Sequence, residues 1–150
     1  MEDMLAVLAR GQALAAAREK AEVLACNAMT RRYGLALTDG EAEELLEGRE
    51  EALRAAGRVE FAGGVLPRLV RAFCSSPYLE RESYAQTLGE LQDVFYAWKS
   101  ACGGAFSDDE LIELMAETFN GRAGGSADYL AAAEPEDLCR DGTLWDGGAR

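Results

Sequence analysis

The stretch SYAQTLGELQDVFYAWKSAC, Ser83 to Cys102, decides the fold. Tyr84, Leu88, Leu91, Phe95, Trp98 and Cys102 recur at alternating steps of four and three, which on a helix of 3.6 residues per turn makes one continuous apolar stripe. The aromatics Tyr84, Phe95 and Trp98 give it more buriable area than any other segment offers. The spacing predicts a core helix about 30 Å long, with the remaining chain packed around it.

On its N-terminal side, Pro67 suits the first turn of a short helix with Leu66, Leu69, Val70 and Phe73 inward. Cys74-Ser75-Ser76-Pro77 stops it, because the residue before a proline disfavours helical dihedrals. Val59-Glu60-Phe61 alternates like a short extended connector, and a strand there is the alternative. Thr38-Asp39-Gly40-Glu41 has the form of a capping box and opens a helix to Gly57. Its expected inward face is Ala42, Leu45, Leu46, the stem of Arg49, Leu53 and Ala56. Upstream, residues 2–10 read as a short helix with Leu5 and Leu8 inward that Gly11 either interrupts or joins to a longer one. From Gln12 to about Arg32 the inward set is Leu14, Ala17, Ala21, Leu24 and Ala28, and Gly34 is the C-cap.

On its C-terminal side, Gly103-Gly104 closes the core helix, and Ser107-Asp108-Asp109-Glu110 is a second capping box. The helix it opens directs Leu111, Ile112, Met115 and Phe119 inward and ends near Asn120. Ser126 caps a short turn with Tyr129 and Leu130, and Pro135 opens another through Leu138 and Cys139. The fold class is therefore all-α: a compact bundle of about five helices with short C-terminal turns. Residues 1–140 form a single domain and 141–150 a loose tail in which Trp145 alone offers an anchor. A chain of 150 residues suits this, since folding at that length buries roughly 70% of the unfolded surface.

The charge is uneven. Residues 1–78 hold 12 acids and 10 bases, residues 79–150 hold 15 acids and 5 bases, and the whole carries −12. Such a surface repels nucleic acid and anionic membrane and favours a basic partner. No run approaches the ~18 apolar residues of a membrane span. MEDMLAVLARGQ begins with acids and lacks the basic and apolar regions of a secretory leader. Cys26, Cys74, Cys102 and Cys139 form no C-x-x-C pair and sit in apolar runs, as small hydrophobes of a reducing compartment do. The expected location is the cytoplasm.

Histidine is absent, which removes His-activated nucleophiles and His-based metal sites. Glu41/Glu44 and Glu90/Asp93 are acidic pairs three residues apart on two helices, the pattern with which helical nucleotide pyrophosphohydrolases hold Mg²⁺. Against that, the separation of 46 positions between Glu44 and Glu90 is a long gap and Glu41 has a capping role. Cys74 ends a helix, the wrong end to lower a thiol pKa. Gly124-Gly125-Ser126 reads either as an anion cradle or as a linker with an N-cap. Arg49, Arg54, Arg58, Arg68 and Arg71 form either a basic patch or internal partners for the acidic half. Asp108, Asp109, Glu110, Glu113 and Glu117 make a carboxylate face able to meet a charged partner or to imitate a phosphate backbone, although solvation accounts for it as well.

The run Phe73-Cys74-Ser75-Ser76-Pro77-Tyr78 and the run Gly124-Gly125-Ser126-Ala127-Asp128-Tyr129-Leu130 resemble those of a small bacterial domain family of unknown function. That resemblance implies a bacterial cytoplasmic protein and supplies no activity or site. The expected function is a non-catalytic interaction or adaptor protein without a cofactor, binding a basic protein or a second copy of itself, with no direct nucleic-acid or membrane contact. The alternatives are an acidic nucleic-acid mimic that inhibits a basic DNA- or RNA-binding protein, and a Mg²⁺-dependent nucleotide hydrolase.

Overall fold

The computed structural model describes residues 4–140, and of Cys139 and Arg140 the backbone alone. The side chain of Cys139, the tail 141–150 and Trp145 lie outside the described residues. The fold is all-α, with eight α-helices and no strand among the described residues. They are α1 (Met4–Ala25), α2 (Asn27–Thr30), α3 (Asp39–Ala56), α4 (Val65–Phe73), α5 (Tyr84–Cys102), α6 (Asp108–Asn120), α7 (Ala127–Ala132) and α8 (Pro135–Arg140). Five of these exceed two turns; α2, α7 and α8 are the short ones. Val59–Phe61 forms no strand.

Helix α5 is the axis of the bundle. All six stripe residues are buried, and Gln92, Val94 and Tyr96 are buried as well, so neighbours cover more than one face. Leu91, Phe95 and Trp98 pack with Phe73 of α4, Leu111, Met115 and Phe119 of α6, Leu130 of α7 and Leu138 of α8. Tyr84 and Leu88 pack into a second cluster with Val23, Leu45, Leu46, Leu66 and Val70. Each such buried side chain contributes about 1.5–3 kcal/mol. The Trp98 indole N–H satisfies its polarity by donating to the Leu130 carbonyl at 3.1 Å, which ties α7 to the axis.

Local signals set the helix ends. Thr38 and Ser107 each accept from the backbone N–H three residues on, while Glu41 and Glu110 accept from the Thr38 and Ser107 amides, so both capping boxes are closed. Gly34, Gly57 and Gly103 terminate helices in the left-handed region. Asn27 brackets the loop before α3, its Nδ2 donating to the Leu37 carbonyl and its Oδ1 accepting from the Leu37 amide, each at 2.9 Å.

The inward face of α1 differs from the expected one. Gly11 is absorbed into an unbroken helix of 22 residues, but Leu5 and Leu8, expected inward, are exposed, as are Leu14, Ala17, Ala21 and Ala28, and Leu24 is half-buried. Val23, Cys26, Asn27 and Thr30 are buried instead. Alanines give too little hydrophobic contrast to fix the phase of a helix, and the side that faces the core is set by Val23 and Cys26 together with Asn27 and Thr30, whose side chains bond the Leu37 and Leu35 backbone. Ala56, expected inward, is also exposed.

Candidate functional site

A buried charge cluster fixes the surfaces that remain open. Arg49 is 1% exposed, head as well as stem, and its Nε donates to Glu60 Oε1 at 3.1 Å. Glu60 Oε1 also accepts from the Tyr96 hydroxyl at 2.8 Å and the Val65 amide at 3.3 Å, and its Oε2 from Arg58 Nε at 2.8 Å. Burial opposes ionisation of Glu60, but the bonds from Tyr96, Arg58, Arg49 and Val65 outweigh it and hold the carboxyl below the usual range. Burial and the bond to Glu60 raise the Tyr96 phenol. Arg49 NH1 lies 3.4 Å from Glu19 Oε2, near enough for an ion pair but out of line for a hydrogen bond. Glu60 sits between Val59 and Phe61, which are 78% and 86% exposed. The charged residue turns inward and its apolar neighbours outward, the inverse of the usual alternation.

The cluster extends to the acids of α6. Arg58 NH2 reaches Asp108 Oδ2 at 2.6 Å, and Lys99 Nζ lies 3.0 Å from Asp108 Oδ1. Burial works against the Asp108 carboxylate, yet the bonds from Lys99 and Arg58 keep it below its ordinary value. Arg68 meets Asp109 at 3.4 Å on the surface. Of the five acids in the expected face, Asp108 and Asp109 thus pair within the chain and Glu110 closes the capping box, while Glu113 and Glu117 stand exposed. Arg58 and Arg68 serve as internal partners of the acidic half.

The exposed side of α5 is furrowed. A groove of about 350 Å³ between α3 and α5 is lined by Glu41, Glu44, Leu45, Gly48, Ala85, Gln86, Gly89, Gln92 and Asp93. Two smaller clefts share Asp93 with it, one lined also by Ala52 and Tyr96, the other by Glu90 and Asp128. Asp93 borders all three. The structure therefore gathers Glu41, Glu44 and Asp93 around one groove and leaves Glu90 to a neighbouring cleft. No group of three or more His, Cys, Asp and Glu close enough to hold a metal ion occurs among the described residues. Partial burial raises the Asp93 carboxyl above its ordinary value. Gln92 is 1% exposed and donates to the Leu45 carbonyl at 2.9 Å, but its Oε1 has no hydrogen-bond partner among the described residues. A small, carboxylate-rimmed groove over an apolar floor can take cationic or apolar side chains.

The largest apolar exposure lies on α1. Every residue from Met4 to Arg18 is exposed, with Met4 at 72%, Leu8 at 54% and Leu14 at 63%. Packing begins at Glu19, which pairs with Arg49, and Lys20, which pairs with Glu43 and Asp39. Glu22 then accepts from the Gly63 amide at 2.9 Å. The first fifteen residues of α1 extend about 22 Å as an arm. They carry two arginines, Arg10 and Arg18, and no acid.

Other candidates resolve structurally. Cys74 is buried with its thiol donating to the Arg71 carbonyl at 3.3 Å, and Cys26, Cys74 and Cys102 are free and buried. At Gly124-Gly125-Ser126 the Gly125 amide donates to Phe119 O at 2.8 Å, and Ser126 Oγ caps the Tyr129 amide at 3.1 Å, the N-cap arrangement. Gly125, at φ +85°, is needed because a Cβ there would fall 2.5 Å from the Cβ of Tyr78. Ser76 Oγ donates to Asn120 Oδ1 at 2.5 Å. The 73–78 and 124–130 runs, distant in sequence, thus meet in space. Glu60, Tyr96 and Gln92 escaped the sequence reading; the one trace of Glu60 was a lone acid between two apolar residues ahead of a Gly-Gly pair.

No described helix is long and apolar enough to cross a membrane. Residues 22–143 match the model of a family described as a family of unknown function (DUF6323). No curated protein and no solved structure matches the chain.

Proposed function

We propose that this chain, which belongs to the DUF6323 family of unknown function, is a non-catalytic protein–protein interaction protein whose contact element is the α1 arm. The observation that carries this reading is the run of exposed apolar side chains at Met4, Val7, Leu8 and Leu14 on a helix that leaves the bundle. An isolated helix of this length is marginal in water, and an apolar one gains stability when its surface is covered. The acidic furrow along α5 supports a basic partner surface as the complement. We place the protein in the cytoplasm, and the three buried free cysteines support that location.

The test is capture from host lysate on immobilised protein, comparing wild type with Leu8→Glu/Leu14→Glu. Glutamate keeps helix propensity while removing the apolar surface. A defined protein, or the chain itself, is expected on wild type and at least about tenfold less on the variant, a difference of ~1.4 kcal/mol. Equal recovery on both would overturn the reading.

A further inference from the structure

Each wall of the α3–α5 groove carries a glycine in a helix interior, Gly48 in α3 and Gly89 in α5. Glycine is, proline aside, the least favourable residue there. Packing requires neither of them: a Cβ at Gly48 would stand 3.6 Å from Gln92 Nε2, and one at Gly89 would stand 3.6 Å from Leu45 Cδ2, both ordinary contacts. What the missing methyl groups leave is open groove, about 350 Å³, a size in the range of small-ligand sites.

Gln92 lines the same groove and is 1% exposed. Its Nε2 donates to the Leu45 carbonyl at 2.9 Å, which fixes the amide, since the reverse orientation would set two oxygens together. Oε1 is therefore left as a buried acceptor with no partner among the described residues. An unpaired buried acceptor bears its full desolvation cost, so a donor brought by a ligand gains most at such an atom. Around it stand Glu41 and Glu44, one helical turn apart on α3, and Asp93 on α5, and no Lys or Arg lines the groove. One oxygen of Glu41 is occupied by the Thr38 amide, which leaves the other open. These carboxylates are not gathered closely enough to share one metal ion. Negative charges spaced along a partly apolar groove suit a ligand whose own positive charges are spaced along an apolar chain.

We propose that the α3–α5 groove is a binding site for a small aliphatic polyamine. Its ammonium groups pair with Glu44, Asp93 and the second oxygen of Glu41, one N–H donates to Gln92 Oε1, and its methylenes lie against Leu45 in the space that Gly48 and Gly89 leave. No residue of the α1 arm lines this groove, so the site is additional to the interaction reading and independent of it.

Calorimetric titration of the full chain with spermidine tests it, at about 0.15 M salt, where surface charges are screened beyond about 8 Å. Wild type is expected to bind one equivalent with a dissociation constant below about 1 mM. Glu44→Gln/Asp93→Asn, both at exposed positions, is expected to bind at least about tenfold more weakly. Gly48→Ala/Gly89→Ala fills the groove and is expected to weaken binding as much, with a urea midpoint at or above that of wild type, because alanine favours the helix. Glu113→Gln/Glu117→Gln on α6 removes the same charge elsewhere and is expected to bind as wild type does. No saturable binding below about 1 mM overturns the proposal. So does undiminished binding by the alanine pair, or equal weakening in the α6 variant, which would reduce the effect to the net charge of −12. Displacement of spermidine by an equal concentration of Mg²⁺ overturns it as well.

Discussion

Arg49 and Glu60, eleven residues apart, meet at 3.1 Å with side chains 1% and 6% exposed. The pair joins α3 to the connector and, through Tyr96 and Val65, to α5 and α4. Removing Glu60 leaves the buried Arg49 with only the 3.4 Å contact to Glu19, and Glu60→Gln is expected to lower the unfolding free energy by about 3–5 kcal/mol in urea denaturation. Arg49→Met should cost less, because Glu60 stays paired with Arg58 at 2.8 Å and bonded to Tyr96 and Val65. The double variant should cost less than the sum, since the residues are in contact.

Acid should loosen the same cluster. Glu60 and Asp108 both titrate below their ordinary values of 4.5 and 3.8 in the folded chain. Their contribution is therefore complete above the unfolded values and disappears as pH falls through the folded ones. Urea midpoints should hold steady from neutral pH to about pH 5 and fall below that, and the fall should be smaller in Glu60→Gln. Asp93 shifts the opposite way, so Asp93→Asn should raise the midpoint at neutral pH.

The inverted alternation at 59–61 gives a sharper contrast. Val59→Ser/Phe61→Ser should change stability by no more than about 0.5 kcal/mol, as surface substitutions do. The polar residue between them should matter far more. Thermal unfolding of the two variants beside Glu60→Gln checks the ordering.

Gly64 is expected to resist substitution. It precedes α4 at φ +62°, and a Cβ there would overlap Glu60 Oε1 and lie 2.9 Å from Arg49 NH2. Gly64→Ala should destabilise by about 1–3 kcal/mol from backbone strain, with displacement of the cluster in addition. Gly57→Ala, which has the same sign of φ but open space around it, should cost less in the same denaturation series.

What the sequence made legible was local. The 83–102 stripe, both capping boxes and the inward sets of α4 and α6 depend on spacing within one helix, and Leu69, Phe73, Leu111 and Phe119 are buried accordingly. The phase of α1 was not legible, because Ala17 and Ala21 weigh little against Val23. Nor were the partners of Arg49 and Asp108, which cross loops and helices where no periodicity links them. The groove carboxylates Glu41, Glu44 and Asp93 were visible as pairs, but their shared location depends on how α3 lies along α5. The arm was hidden for a different reason: its residues resemble those of a packed helix.

The measurement that bears most directly on the arm as contact element is photo-crosslinking in living cells from a photoreactive amino acid at Ala13, an exposed position midway along the arm. A discrete protein adduct that disappears in Leu8→Glu/Leu14→Glu is the expected result, and its mass tells a second copy from another partner. Uncrosslinked monomer alone, under conditions where a surface position on α6 such as Glu113 behaves the same way, would contradict an interface on α1.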